Sequence, residues 1–121
     1  MGIGRSLAAV LIVLLPCAVA AAEQSVTRFR LSADTSNTAS CRALDAVLAR
    51  PHTVTVNEGD VEITSAGGIE GRMNEVRPAV YRVAFELSGM QLDVVADLHA
   101  VPYTLTVADR QLGCKWQARP E

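Results

Sequence analysis

The stretch from Tyr81 to Leu98 constrains the fold more than any other, because apolar and polar side chains alternate along it. A period of two is that of a half-buried β-strand, in which successive side chains point to opposite faces. Tyr81, Val83, Phe85 and Leu87 alternate with Arg82, Ala84 and Glu86, and Ser88-Gly89 offers a two-residue turn. A hairpin follows. With Leu87 opposite Met90, Phe85 meets Leu92, Val83 meets Val94 and Tyr81 meets Ala96, all on one apolar face. A slip of one residue would send one strand's apolar set to the other side, so the register checks itself. On the second face Arg82 stands across from Val95 and diagonal to Asp93 and Asp97, within ion-pair reach.

Shorter segments repeat the pattern. Val26 to Leu31 is expected as a first strand, with Val26, Arg28 and Arg30 on one side and Thr27, Phe29 and Leu31 on the other. Thr53–Val56 and Val61–Thr64 flank Asn57-Glu58-Gly59-Asp60, read as a four-residue hairpin loop. Gly68–Met73 reads as a weaker strand whose glycines imply a bulge or a close backbone approach. Tyr103–Val107 and Leu112–Gln117 complete the set, with Ala100-Val101-Pro102 as the turn before them. One segment departs from this. Cys41, Leu44, Val47 and Leu48 fall at helical spacing, Ser40 stands where a cap is needed and Pro51 blocks continuation, which predicts a short helix over 41–50.

Before these elements, residues 1–22 read as a secretory signal peptide: Arg5 supplies the positive end, Leu7–Leu15 is apolar throughout, and Ala18-Val19-Ala20-Ala21-Ala22 offers small residues for cleavage before Ala21 or Glu23. A retained anchor would need about 20 apolar residues. Ser6 to Ala22 supplies seventeen, interrupted by Pro16. Lipidation at Cys17 would want a small residue before it, and Pro16 stands there. The expected unit is therefore one β-rich domain over 23–121, periplasmic or secreted, with no stable membrane anchor after cleavage. Ten arginines against one lysine, with many alanines and valines, suit a GC-rich bacterial genome.

Losing Cys17 with the signal leaves Cys41 and Cys114, and two cysteines in an exported chain imply a bridge between them. Closing a loop of about 73 residues stabilises by about 4.4 kcal/mol in the chain-entropy account. The bridge reads as a structural clip, since the Cys-X-X-Cys spacing of redox pairs is absent. Without Arg5 the charged side chains are ten basic and thirteen acidic, a net charge of about −3 with no basic run, which argues against nucleic acid as a partner.

Chemical signatures are sparse. His52 and His99 are the two histidines, both placed where strands meet loops and read as solvated; with Asp97 they are the candidates for a metal, which the spacing does not favour. No Gly-X-Ser-X-Gly elbow occurs, and Ser88, His99 and Asp109 form a triad only if the fold gathers them. Asp93 and Asp97 share a strand face roughly 13 Å apart, too far for a retaining glycosidase pair. Gly67-Gly68-Ile69-Glu70-Gly71 lacks the ending of a phosphate loop and reads as turn and bulge glycines. No catalytic, metal or cofactor site is expected. If Cys114 points inward, Trp116 does too and plugs the core beside the bridge. The alternative places Trp116 at a pocket rim with Tyr81, Tyr103 and His99.

An immunoglobulin-like sandwich would put a tryptophan soon after the first cysteine and a tyrosine two residues before the second. Here Trp116 follows the second, and Leu112 holds the tyrosine's place. The expected fold is mainly β: an antiparallel up-and-down meander forming a small barrel of seven or eight strands with one short helix. The alternative is an α+β arrangement with the helix packed on an antiparallel sheet. The expected function is a non-catalytic module that binds an envelope protein or peptide through loops and an exposed strand edge. A carrier of a small apolar ligand in the barrel interior, or an enzyme of unknown class, are the other readings.

Overall fold

The computed structural model describes residues 24–121, so the expected signal peptide over 1–22 lies outside the described residues. Nine strand segments are formed: β1 (Gln24–Arg30), β2 (Ser32–Ala33), β3 (Pro51–Asn57), β4 (Asp60–Thr64), β5 (Gly71–Arg77), β6 (Val80–Leu87), β7 (Met90–Asp97), β8 (Thr104–Asp109) and β9 (Cys114–Ala118). They make one antiparallel sheet in the order β1-β3-β4-β5-β6-β7-β8-β9-β2. β1 and β2 are two parts of one strand. The first pairs with β3 and the second with β9. The Phe29↔Pro120 bridge and the bond from the Glu121 N–H to the Arg28 carbonyl, 2.9 Å, continue the register of Ser32↔Gln117. The meander is thus a nearly closed barrel of eight strands.

The register fixes how wide that barrel is. From Gln24 one crosses to Asn57 and Asp60, the Val61↔Met73 register extended by one position leads on to Asn74, and Arg82, Val95, Thr106 and Gln117 follow to Ser32, eight residues along the starting strand. Eight strands with a stagger of eight enclose a space that side chains fill by themselves. They do so here. Phe29, Val54, Val61, Ile63, Met73, Leu92, Val94, Leu105, Val107 and Trp116 are all buried and belong to one cluster.

The long hairpin has the register its alternation demands, with Leu87↔Met90, Phe85↔Leu92, Val83↔Val94 and Tyr81↔Ala96. Ser88 and Gly89 take φ of 53° and 83°, the left-handed pair that a twisted two-residue hairpin needs. Arg82 pairs with Asp93 on the outer face. Elsewhere the boundaries move. Asn57 pairs with Asp60, so the hairpin loop is the two residues Glu58-Gly59 rather than four. The strand expected over 68–73 is displaced to 71–77, because Gly68 and Ile69 belong to the turn and the irregular register falls at Glu75/Arg77 instead.

The helical segment is a 3-10 turn over Ala39–Leu44 continuing into α1 (Asp45–Leu48). Ser40 lies inside it, and Thr38 takes the capping position without a side-chain bond. Cys41, Leu44 and Leu48 point into the core, so the helix covers one barrel end. Two ties fasten it to β9. The Cys41–Cys114 disulfide joins its start, with a Cα–Cα distance of 5.7 Å. Asp45 accepts a 2.9 Å bond from the Trp116 indole N–H. Asp45→Ala leaves that N–H buried and unpaired, which should cost about 1–3 kcal/mol in urea unfolding. The Cys41→Ala/Cys114→Ala double variant should lose about 2–5 kcal/mol in the same measurement; an unchanged midpoint would mean the bridge does not constrain the chain.

Candidate functional site

Strands that run up and down bring their connections to two ends. The helix end carries the 310 turn and α1, the turn 65–70, the Ser88-Gly89 turn and the connection 110–113. The far end carries the Glu58-Gly59 turn, the connection at Pro78-Ala79 and the loop 98–103. Three of the four expected rim residues gather at the far end. Tyr81 is half-buried at the start of β6, His99 is exposed in the loop, and Tyr103 is 38% exposed just before β8. Trp116 is not at a rim. Alternation along β9 turns it inward with Cys114, and it is 1% exposed.

The loop 98–103 is the most distinctive surface feature of that end. Val101 is 96% exposed and is followed by exposed Pro102 and Tyr103. An apolar tip in water is usually mobile or hidden, but this one is tied at its base. The Asp97 Oδ1 accepts bonds from the N–H groups of His99 (2.9 Å) and Ala100 (3.0 Å), and the Leu98 N–H donates to the Ala79 carbonyl at 2.8 Å. Asp97 thus serves as a loop anchor, a role that short polar side chains take by bonding backbone two or three residues on. Val76, near the end of β5, is also exposed.

At the helix end the histidine reading needs correction. His52 is not solvated: it is fully buried on the inward face of β3 with Val54. Its Nδ1 lies 2.8 Å from the Arg50 carbonyl oxygen, and its Nε2 has no partner, as is also true of Ser65 Oγ nearby. The signal was present in the sequence, since His52, Val54 and Val56 occupy one parity of that strand. His52 and His99 lie at opposite ends and cannot share an ion, and among the described residues no group of three or more His, Cys, Asp or Glu side chains converges as a metal site would need. Ser88 and Asp109 are at the helix end while His99 is at the far end, so the candidate triad does not assemble. Asp93 is engaged by Arg82 and lies 3.7 Å from Arg110.

Among the described residues, concavities open on the outer face. One of about 660 Å³ lies where β2 meets β9 and β8, lined chiefly by Arg30, Ser32, Thr104, Thr106, Gln117 and Arg119. Arg30 is already bound to Glu121 at 3.1 Å. Two others, of about 260 and 320 Å³, are surface hollows of mixed lining. The carrier reading asked for volume along the barrel axis, and the buried side chains of the core cluster occupy that interior. No protein-family model matches this chain, and neither a curated protein nor a solved structure matches it. Among the described residues no helix is long and apolar enough to cross a membrane, and the disulfide is consistent with an oxidising compartment.

Burial lowers the His52 pKa below its ordinary 6.5, opposed by the bond to the Arg50 carbonyl. The sign follows. Unfolded chains bind a proton here more readily than folded ones, so stability from a neutral His52 is complete above pH 6.5 and declines as pH falls below it. Thermal unfolding midpoints should therefore drop between pH 7.5 and pH 5 in the wild type and stay nearly level in His52→Asn over the same range.

Proposed function

We propose that this chain is an exported, non-catalytic binding module that engages an envelope protein or peptide by inserting its 98–103 loop into an apolar cleft. One observation carries the reading. Val101, Pro102 and Tyr103 form an exposed apolar tip held in place by the Asp97 carboxylate. A loop ordered before binding surrenders little conformational freedom on association, which favours affinity. Burying a side chain of valine size contributes about 1.5–3 kcal/mol, enough for a factor of about 10 to 100 in affinity. The signal-type N-terminus and the disulfide support the export half of the proposal. The nearly closed sheet leaves little free strand edge, so the loop replaces the edge as the contact the sequence suggested.

A photoreactive phenylalanine analogue placed at position 101 of the native-host protein should give a discrete crosslinked adduct. The same probe at Glu86, exposed on β6, should give none. Val101→Asp should weaken binding of the captured partner at least about tenfold with no change in thermal midpoint. Equal adducts from both positions, or none from 101, would rule the loop out as the contact.

A further inference from the structure

Two buried polar atoms without partners lie close together at the helix end. The Arg50 carbonyl can only accept, so His52 carries its proton on Nδ1 and presents a lone pair at Nε2. That Nε2 and Ser65 Oγ are both buried without partners, and both border Gly68, where an added Cβ would lie 3.4 Å from the first and 3.1 Å from the second. The turn 65–70 is folded down over them. Arg50 Nη1 donates to the Ala66 carbonyl at 2.7 Å, the Gly68 N–H donates to the Ser65 carbonyl at 3.2 Å, and Ile69 is fully buried. Gly67 has φ of +72°, and a Cβ there would come within 2.6 Å of the Arg50 guanidinium. This turn joins β4 to β5, whose ladder has three residue pairs against eight between β6 and β7.

We infer that His52 is an acid-sensitive latch of the β4–β5 seam: as a neutral ring it lets the turn 65–70 close over the barrel, and a second ring proton drives the turn off and parts the two strands. The groups around the ring leave a charged imidazole poorly served. Phe29 stands across from it on β1, Ser65 and Gly68 face it from the turn, and the charged neighbour is Arg50, of like sign. Among the described residues no carboxylate is hydrogen-bonded to the ring, whose Nδ1 meets the Arg50 carbonyl and whose Nε2 has no partner. Glu70 is exposed in the turn, and Asp60, Glu62 and Arg72 lie on the outer side of the seam, with Asp60 and Arg72 paired. Ser65 Oγ is the remaining acceptor, and it cannot replace the hydration a buried cation loses. Something must then yield. β3 is held by seven pairs to β1, so the yielding part is the glycine turn and its short ladder. Parted strands present the backbone edges that a closed barrel hides.

Hydrogen exchange of the full oxidised protein at pH 7.5 and pH 5.5, compared as protection factors, tests this. Residues 61–73 should lose protection at least about tenfold at the lower pH, with β7 and β8 changing less than about twofold. Ordinary carboxylates titrate near pH 4, and the other histidine, His99, is at the far end. His52→Asn, whose amide can still donate to the Arg50 carbonyl but takes up no proton, should abolish the difference. Nitrogen-15 spectra of the wild type supply a check that needs no variant: the His52 ring signal and the amides of Gly67 and Gly68 should shift with one midpoint. No local loss of protection, a loss spread evenly over all strands, one that persists in His52→Asn, or separate midpoints would overturn the inference.

Discussion

Everything in this molecule depends on one strand pairing along both of its edges. Residues 24–33 lie against β3 at their first half and against β9 at their second, and this turns a meander with two open edges into a barrel. The stagger of eight residues that accompanies closure sets the width. Width in turn decides what the interior can be. It holds Phe29, Trp116, Met73 and the aliphatic residues between them, and so the chain's surface chemistry is confined to its ends and its outer face.

The two ends are built differently. At one, the helix is fastened to β9 by a covalent bond at Cys41 and a hydrogen bond at Asp45, and its leucines complete the core. That end also contains the buried imidazole and the glycine turn, where polar groups are enclosed without full satisfaction. Unpaired buried polar atoms cost about 1–3 kcal/mol each, and here they lie beside a ladder of three pairs, one of the short ladders of the wall. Among the described residues the opposite end has no helix over it. It carries an apolar loop whose backbone is anchored by Asp97, and this is the surface on which the proposed binding role rests.

Much of the architecture was legible because the alternation was long. The β6–β7 register followed residue by residue from Tyr81 to Leu98, since an error of one position would have exposed an entire apolar face. The bridge between Cys41 and Cys114 followed from the expectation of export and from arithmetic. Legibility failed where the pattern was short. Gly68-Ile69-Glu70 has apolar and polar residues in a strand-like order, yet Ile69 is buried from a turn, which period alone cannot reveal. The rim set divided in the same way: Tyr81, Tyr103 and His99 share an end because loops of one kind share an end, whereas Trp116 obeyed the parity of Cys114 and went inside.

The sequence by itself determined the element type, the strand parity and the covalent tie, because each depends on neighbours close along the chain or on the count of cysteines. The stagger, the filled interior, the enclosure of His52 beside Ser65 and Gly68, and the exposure of Val101 were decided by the tertiary structure alone. These depend on which residues from distant strands arrive at the same height, and that height is set when the first strand meets the last.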